Sequence, residues 1–201
     1  MMDDDARQRL VSYLEHQAKK DVPRIVELIE EQRGRLLALL DGVPDEQAAF
    51  RPAPDQWSIA DVLRHVIAAE EGVARIVESL ARGAVPDGSR ALGSQVRDEG
   101  QSLSALVQRL RAARAALLER VRGWPASPDL TATYDHPFFG PLNCKGWVAF
   151  QRLHDADHIG QLGQITGTEG YSARWRPLRS RPSCSRFIRL YQSSQQRKSP
   201  P

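Results

Sequence analysis

The most informative stretch of this chain is residues 147–161, which read Trp147-Val148-Ala149-Phe150-Gln151-Arg152-Leu153-His154-Asp155-Ala156-Asp157-His158-Ile159-Gly160-Gln161. Side chains three or four residues apart project from one face of a helix. That face holds two aromatic and three polar residues, namely Trp147, Phe150, His154, His158 and Gln161. Polar groups are costly to bury without partners. The stretch therefore predicts a helix over residues 145–165 whose buried face must satisfy two imidazoles and an amide, and a cation is one candidate.

The histidines at positions 154 and 158 are one helical turn apart, so both rings can point at a single ion. Two hydrogen-bonded core histidines would have the same spacing, and the pair alone leaves both interpretations open. A third histidine, His65, lies on another predicted helix in line with the small residues Ala69 and Gly72, which leave room beside it. Three imidazoles from two helices would leave positions for water or substrate, and they suit zinc or nickel without any cysteine.

Three further segments have apolar residues at helical spacing. They span residues 22–40, 58–82 and 96–122. Asp21 is placed to cap the first, and Ser58 with Asp61 has the spacing of a capping box for the second. The connection over residues 124–144 is long for a compact domain, so we expect it to pack over one end of the helices. Four amphipathic helices without strand-like alternation predict an all-α, antiparallel four-helix bundle with no β-sheet beyond an isolated turn pair.

The chain divides into three predicted parts. Residues 1–21 form an N-terminal extension with a short helix near residues 6–20, and residues 22–171 form the bundle. Residues 172–201 hold eight cationic and no acidic side chains and are rich in Ser and Pro, so we expect a disordered tail. Because the whole chain has a net charge of +3, residues 1–171 carry a net charge of −5. The basic character therefore belongs to the tail, and the acidic body argues against a nucleic-acid partner.

Composition places the chain among ordinary globular proteins. Hydrophobic residues make up 41% and charged residues 26% of it, and no apolar run reaches the roughly 18 residues of a membrane span. The chain begins Met-Met-Asp-Asp-Asp, which is unlike a secretory signal, so a cytoplasmic location is expected. The two cysteines, Cys144 and Cys184, are far apart, so neither a thiolate zinc cluster nor a disulfide framework is expected.

Three motifs occur along the chain: Phe50-Arg51-Pro52-Ala53-Pro54-Asp55-Gln56-Trp57-Ser58-Ile59-Ala60-Asp61-Val62-Leu63-Arg64-His65-Val66, then His136-Pro137-Phe138-Phe139-Gly140-Pro141-Leu142, and His154-Asp155-Ala156-Asp157-His158-Ile159-Gly160-Gln161. These motifs resemble those of the DinB-like superfamily, in particular its DinB_2-type members. They occur in the family's order and frame most of residues 22–166. The resemblance implies that His65, His154 and His158 ligate one divalent metal ion, with zinc expected and nickel or manganese as alternatives. After Gly170 the chain departs from the family's short polar end.

The resemblance also implies two enzyme classes that act on small molecules. One is the thiol S-transferases, which use the metal to activate a low-molecular-weight thiol such as bacillithiol or mycothiol. The other is the metal-dependent hydrolases, which activate water. We expect thiol transfer to an electrophilic small-molecule substrate. The alternative from another class is a non-catalytic metal-binding or stress-response module, with a homodimer as one arrangement. Nucleic-acid binding would rest on the tail alone, and neither it nor a membrane partner is expected.

Residues near the predicted ligands carry smaller predictions. Gln161 lies one turn beyond His158, where it either hydrogen-bonds a metal-bound water or packs at the rim of the core. Trp147 or Phe150 is expected to form part of the pocket wall. The last helix supplies ligands but no evident catalytic base, so the catalytic residues stay unassigned.

Four other polar or aromatic residues are given structural roles. Trp57 precedes the Ser58 cap and is expected to pack as a hydrophobic staple. His136 belongs to the second motif and is expected to make a structural hydrogen bond rather than to bind the metal. Glu70 and Asp157 are interpreted as solvated charges in preference to hydrogen-bond acceptors behind the metal ligands.

Overall fold

The computed structural model describes residues 4–86 and 100–171 of the chain. Helices account for most of them and occur in this order: α1 Asp4–Ala18, α2 Val22–Ala38, α3 Asp45–Ala48, α4 Ile59–Ala81, α5 Leu103–Arg122 and α6 Cys144–Gly167. A short antiparallel hairpin lies between α5 and α6, with strands β1 Tyr134–His136 and β2 Gly140–Leu142. The helix near residues 6–20 is thus present as α1, and α3 is an element that the sequence did not predict.

The four long helices α2, α4, α5 and α6 form a bundle, as the sequence predicted. In this bundle α6 packs between α2 and α4, and α4 packs against α5. The α5 helix reaches α2 through Arg114, whose guanidinium donates to the Ile29 carbonyl oxygen at 3.0 Å. The extra helix α1 packs against α6. The α6 helix is therefore surrounded by three others, which explains why most of its residues are buried.

The directions of the helices differ from a strictly alternating bundle. Ion pairs Glu71–Arg109 and Glu78–Arg120 both join α4 to α5, so these consecutive helices run parallel. The α4 helix runs antiparallel to α6, and the chain follows an up, down, down, up order. Parallel neighbours need a connection that returns along the length of α4. The number of residues between 82 and 102 is sufficient for that return, because an extended chain reaches about 3.5 Å per residue whereas a helix rises only about 1.5 Å.

The core is divided between the two ends of the bundle. At what we call the Ser58 end, α4 and α5 begin and α2 and α6 finish. Its buried residues include Leu36, Leu63, Leu106 and Leu162. At the opposite end, called the hairpin end, α2 and α6 begin. Its buried residues include Ile25, Val77, Leu117 and Trp147. Helices whose two halves each bury apolar residues are held along their whole length.

Side-chain caps set the starts of the bundle helices. Ser58 and Asp61 form the predicted capping box: the Asp61 amide donates to Ser58 Oγ at 3.1 Å, and the Ser58 amide donates to Asp61 Oδ2 at 2.9 Å. Asp21 caps α2 by accepting the Arg24 amide at 3.1 Å. The α6 helix was predicted to open at residue 145, but it begins at Cys144, because the Asn143 side chain caps it by accepting the Gly146 amide at 2.9 Å.

The α5 helix begins later than predicted. The spacing of apolar residues predicted a start at residue 96, of which residues 96–99 lie outside the described part, but Gly100 has a φ of +108° and cannot be helical. Ser102 is the N-cap and accepts the Ala105 amide at 3.2 Å. The Leu103 amide also donates to Asp45 Oδ1 at 2.6 Å, which ties the start of α5 to α3. Local caps thus overrode the apolar pattern.

The long connection over residues 124–143 packs on the hairpin end of the bundle. Its two strands pair Tyr134 with Leu142 and His136 with Gly140, and Gly140 permits the turn with a φ of +72°. Phe139 and Leu142 are buried against the core. The sequence predicted at most an isolated turn pair, whereas the structure has a two-stranded hairpin with three paired positions.

The predictions for the tail and for one of the two cysteines concern residues outside the described part of the chain. These are the basic segment over residues 172–201 and Cys184, whereas Cys144 is described and is free and buried. Within residues 4–86 and 100–171, none of the helices combines the length and the apolar character needed to cross a bilayer.

Candidate metal centre

Two neighbouring helices carry the three predicted ligands. His65 lies on the second turn of α4, at a height set by the Ser58 capping box, and it is half-buried. His154 and His158 lie on consecutive turns of α6 and are each 2% exposed. Because α4 and α6 pack side by side, the half-buried ring faces the two buried ones.

The three imidazoles converge on one point through their Nε2 atoms. His154 Nε2 lies 3.2 Å from His65 Nε2 and 3.2 Å from His158 Nε2. One ligand atom from each of the three residues lies within 4.8 Å of the other two. Four tetrahedral ligands at about 2.0–2.1 Å from zinc are separated by about 3.3–3.4 Å from one another. The spacing of these nitrogens therefore fits a shared ion, and the ligand role of the three histidines stays a prediction.

Proton positions also favour a cation over hydrogen bonds between the rings. His158 Nδ1 lies 2.9 Å from Gln161 Oε1, and since a carbonyl oxygen only accepts, Nδ1 carries the proton. The Nε2 atom of neutral His158 is then unprotonated, and its lone pair faces His154. A single proton on His154 Nε2 can be donated to only one of its two neighbours. One ion would satisfy all three lone pairs.

Burial keeps the three rings neutral, which is the form that binds metals. It lowers the pKa of His65 to about 3, with a further lowering because protonation of His65 and of the neighbouring His158 would oppose each other. Burial also lowers the pKa of His158 to about 4, against the opposing effect of the hydrogen bond that its Nδ1 atom donates to Gln161. The pKa of His154 lies well below its usual range, through burial and then through the neighbouring histidines.

Aromatic rings flank the cluster on two sides. The Trp57 ring lies 5.1 Å from the His65 ring, and the Phe150 ring lies 5.3 Å from the His154 ring, measured between centroids. Trp57 was expected only to pack against the core, which it also does. Trp147 lies further away: its indole packs on Tyr134 and Phe150 and donates to the Tyr134 carbonyl oxygen at 3.2 Å. Phe150 is thus the better candidate for the wall.

His136 makes the structural hydrogen bond expected of it. Its Nδ1 atom accepts the Phe138 amide at 3.2 Å, and its ring stacks on Phe139 with centroids 4.6 Å apart. Burial lowers the pKa of His136 to about 3. This histidine therefore holds the hairpin against α6, where it also contacts the Phe150 ring.

A buried ion cluster lies beside the histidines, and sequence reasoning missed it. Arg33 of α2 donates to Asp155 Oδ1 at 2.9 Å and to Glu70 Oε2 at 2.8 Å. Arg114 of α5 donates to the Glu70 carboxylate and to Asp155 Oδ2 at 3.1 Å. All four side chains are at most 5% exposed, which shows that the interpretation of Glu70 as a solvated charge was wrong.

The opposite charges in this cluster stabilise the ionised form of each group. Burial by itself would lower the pKa of Arg33, but the carboxylates of Asp155 and Glu70 more than offset this and hold the pKa above its ordinary value. Two guanidiniums and two carboxylates balance, and each of the four bundle helices contributes one of them. The cluster therefore ties all four helices together next to His154.

Asp157 was also wrongly interpreted as a solvated charge. It is 3% exposed, and burial raises the pKa of its carboxyl well above the usual range. The physical reason is that α1, α2 and α4 enclose α6, so acidic residues away from its apolar face are covered as well. An amphipathic pattern predicts one buried face and does not report how many neighbours a helix has.

Acidification should destabilise the metal-free protein. His65, His136 and His158 have pKa values of about 3 to 4 in the folded chain and 6.5 as their ordinary value. Between these values the unfolded chain binds more protons, so the free energy of unfolding falls as the pH falls from 6.5 towards 4. Each histidine contributes up to about 1.4 kcal/mol per pH unit. Asp157 acts in the opposite direction because its raised pKa retains a proton in the folded state.

Urea unfolding of metal-free protein at several pH values between about 5 and 7.5 measures this dependence. The His136→Gln variant should flatten it by up to about 1.4 kcal/mol per pH unit, because one buried histidine is gone. His16→Gln, at an exposed position of α1, is the matched control. Equal slopes in the wild type and in His136→Gln would contradict the prediction.

The fold and the histidine cluster define a four-helix bundle protein with a candidate trihistidine metal centre. The chain belongs to the DinB superfamily, whose family model matches residues 28–162. It is 23% identical over 152 residues to the uncharacterized protein YuaE of Bacillus subtilis (strain 168), covering 63% of this chain and 87% of YuaE. It is also similar to the crystal structure of TT2238, a four-helix bundle protein, with a TM-score of 0.55, 29% identity and coverage of 71% of this chain and 98% of that one.

Proposed function

We propose that this protein binds one divalent metal ion through His65, His154 and His158 and uses it to activate a small thiol, or else water, for attack on an electrophilic small molecule. The observation that carries the proposal is that His154 Nε2 lies 3.2 Å from the Nε2 atoms of both His65 and His158, with one ligand atom of each residue within 4.8 Å of the others. Three neutral imidazoles suit zinc or nickel, and manganese is a further alternative although it prefers oxygen ligands. An ion held by only three protein ligands has room for an exogenous one.

When bound, the ion would deprotonate a coordinated thiol at neutral pH. The residues around it supply the rest of the site. Gln161 fixes the His158 ring through its Nδ1 proton. Trp57 and Phe150 place apolar surface beside the histidines, where they would exclude water from the site. The buried ion cluster holds the α6 backbone at Asp155, directly next to His154.

A model conjugation tests the catalytic part of this proposal. With an aryl chloride as electrophile, the thiol sulfur forms a bond to the ring carbon, chloride leaves, and the thiol proton passes to solvent. A free thiol of ordinary pKa is only a few per cent ionised at pH 7. Complete ionisation would raise the rate by about 30-fold before any gain from orientation. Zinc-loaded protein should therefore exceed metal-free protein by at least about 10-fold with cysteine, bacillithiol or mycothiol.

The same experiment separates this proposal from its alternatives. The His154→Ala variant should show no metal-dependent conjugation, and the exposed-site variant His16→Ala should match the wild type. Hydrolysis of a model ester in place of thiol conjugation would favour water as the nucleophile. Stoichiometric metal without either activity across these substrates would favour a non-catalytic metal-binding module.

A further inference from the structure

His158 and His154 differ in whether the Nδ1 atom has a hydrogen-bond partner. The His158 Nδ1 atom donates its proton to Gln161 Oε1, three residues further along α6. The Nδ1 atom of His154 is buried and has no hydrogen-bond partner among the described residues. A neutral imidazole that offers Nε2 to an ion must carry its proton on Nδ1, and a buried donor without an acceptor is unfavourable.

Gln151 is a second buried group without a partner, and it lies three residues before His154. Its side chain is 0% exposed, and neither its Oε1 nor its Nε2 atom has a hydrogen-bond partner in the part of the chain that the structure describes. Residues three apart are neighbours on a helix, and a helical side chain leans towards the turn that precedes it. The His154 ring is therefore placed over the turn that carries Gln151.

We propose that Gln151 is the positioning residue for His154, as Gln161 is for His158. Its Oε1 atom would accept the His154 Nδ1 proton, which fixes the ring with Nε2 towards the shared ion. The sequence shows this arrangement as Gln151-x-x-His154-x-x-x-His158-x-x-Gln161, which reads the same in both directions. One hydrogen bond would satisfy the His154 donor and the Gln151 acceptor together. The inference rests on the proposed function, because it assigns a role at the same metal centre.

The assignment is tested with glutamine variants by two measurements. One is the zinc affinity, measured in competition with a chromophoric chelator, and the other is the melting temperature of the metal-free protein. Gln151→Met removes the acceptor at nearly constant volume and should weaken zinc binding about 10- to 100-fold. Its metal-free form should melt at the same temperature or higher, because a buried amide without partners is gone. Gln161→Met should weaken zinc binding similarly but lower the melting temperature, because it loses a formed hydrogen bond. Gln151→Glu keeps an acceptor and should bind zinc within about threefold of the wild type or more tightly.

The outcomes separate this inference from the proposed function. Wild-type protein that binds no zinc would refute the function and the inference together. Normal zinc binding by the wild type and by Gln151→Met would refute the inference alone. Loss of affinity in Gln151→Met that parallels a lower metal-free melting temperature would show a merely structural role, and would also overturn it. The exposed α6 variant Gln164→Met should change neither quantity and controls for changes to the helix itself.

Discussion

Replacing His65 with alanine is expected to weaken metal binding by more than about 100-fold, beyond the range found when only a hydrogen-bond partner of a ligand is lost. The helical content should be unchanged, because α4 buries its apolar residues independently of this half-buried ring. His154→Ala should have the same effect on metal binding from the other helix. Metal content of the purified protein and circular dichroism of each variant measure the two quantities.

Histidines outside the cluster provide the controls for this result. His16→Ala changes an exposed residue of α1, and His136→Gln changes a buried histidine of the hairpin. Both should bind zinc within about threefold of the wild type, since neither contributes a ligand in the proposed site. Equal zinc affinity in the wild type and in His65→Ala would show that the three rings do not share an ion.

Replacing Arg114 with methionine is expected to destabilise the protein by about 3–5 kcal/mol, because Glu70 and Asp155 would be left with one compensating charge instead of two. Arg114 is 4% exposed and also donates to the Ile29 carbonyl oxygen, so its loss leaves buried acceptors as well. For a domain of this size the melting temperature should fall by about 6–20 °C. Thermal and urea unfolding of the metal-free variant measure both quantities.

A paired change distinguishes a charge effect from a packing effect. Adding Glu70→Met to Arg114→Met removes one charge of each sign and leaves the bidentate contact between Arg33 and Asp155. Most of the lost stability should return, because replacing a buried ion pair with apolar residues is often neutral. Arg120→Met, which breaks an exposed pair with Glu78, should cost at most about 1 kcal/mol. A double variant no more stable than Arg114→Met would contradict the charge explanation.

The ion cluster leaves a signal in the sequence that is clear once the helices are known. Arg33, Glu70 and Arg114 each lie four residues after one buried apolar residue and three before the next: Ile29 and Leu36, Val66 and Val73, Leu110 and Leu117. A single charge at such a position can also extend to the surface along a long side chain, as lysine and arginine do elsewhere. The repetition of the pattern on three helices is what indicates burial.

The bundle helices, the two N-caps Asp21 and Ser58, the resemblance to the DinB superfamily and the three histidines proposed as ligands could all be predicted from the sequence. These follow from local rules: apolar spacing, capping side chains and the i, i+4 geometry of His154 and His158 act within one segment. The start of α5 was missed because Gly100 and Ser102 end the apolar pattern locally.

Which helices are neighbours could not be predicted from the sequence and is known from the fold. The hydrophobic effect is non-directional, so an apolar face does not choose its partner, and long connections allow either helix direction. The packing of α4 against α6 brings His65 to the α6 pair. The same packing encloses α6, buries Asp157 and gathers the other three charges of the ion cluster around Asp155. Contacts between residues far apart in the chain therefore assemble the candidate metal centre, whereas contacts within each segment determine where that helix begins and ends.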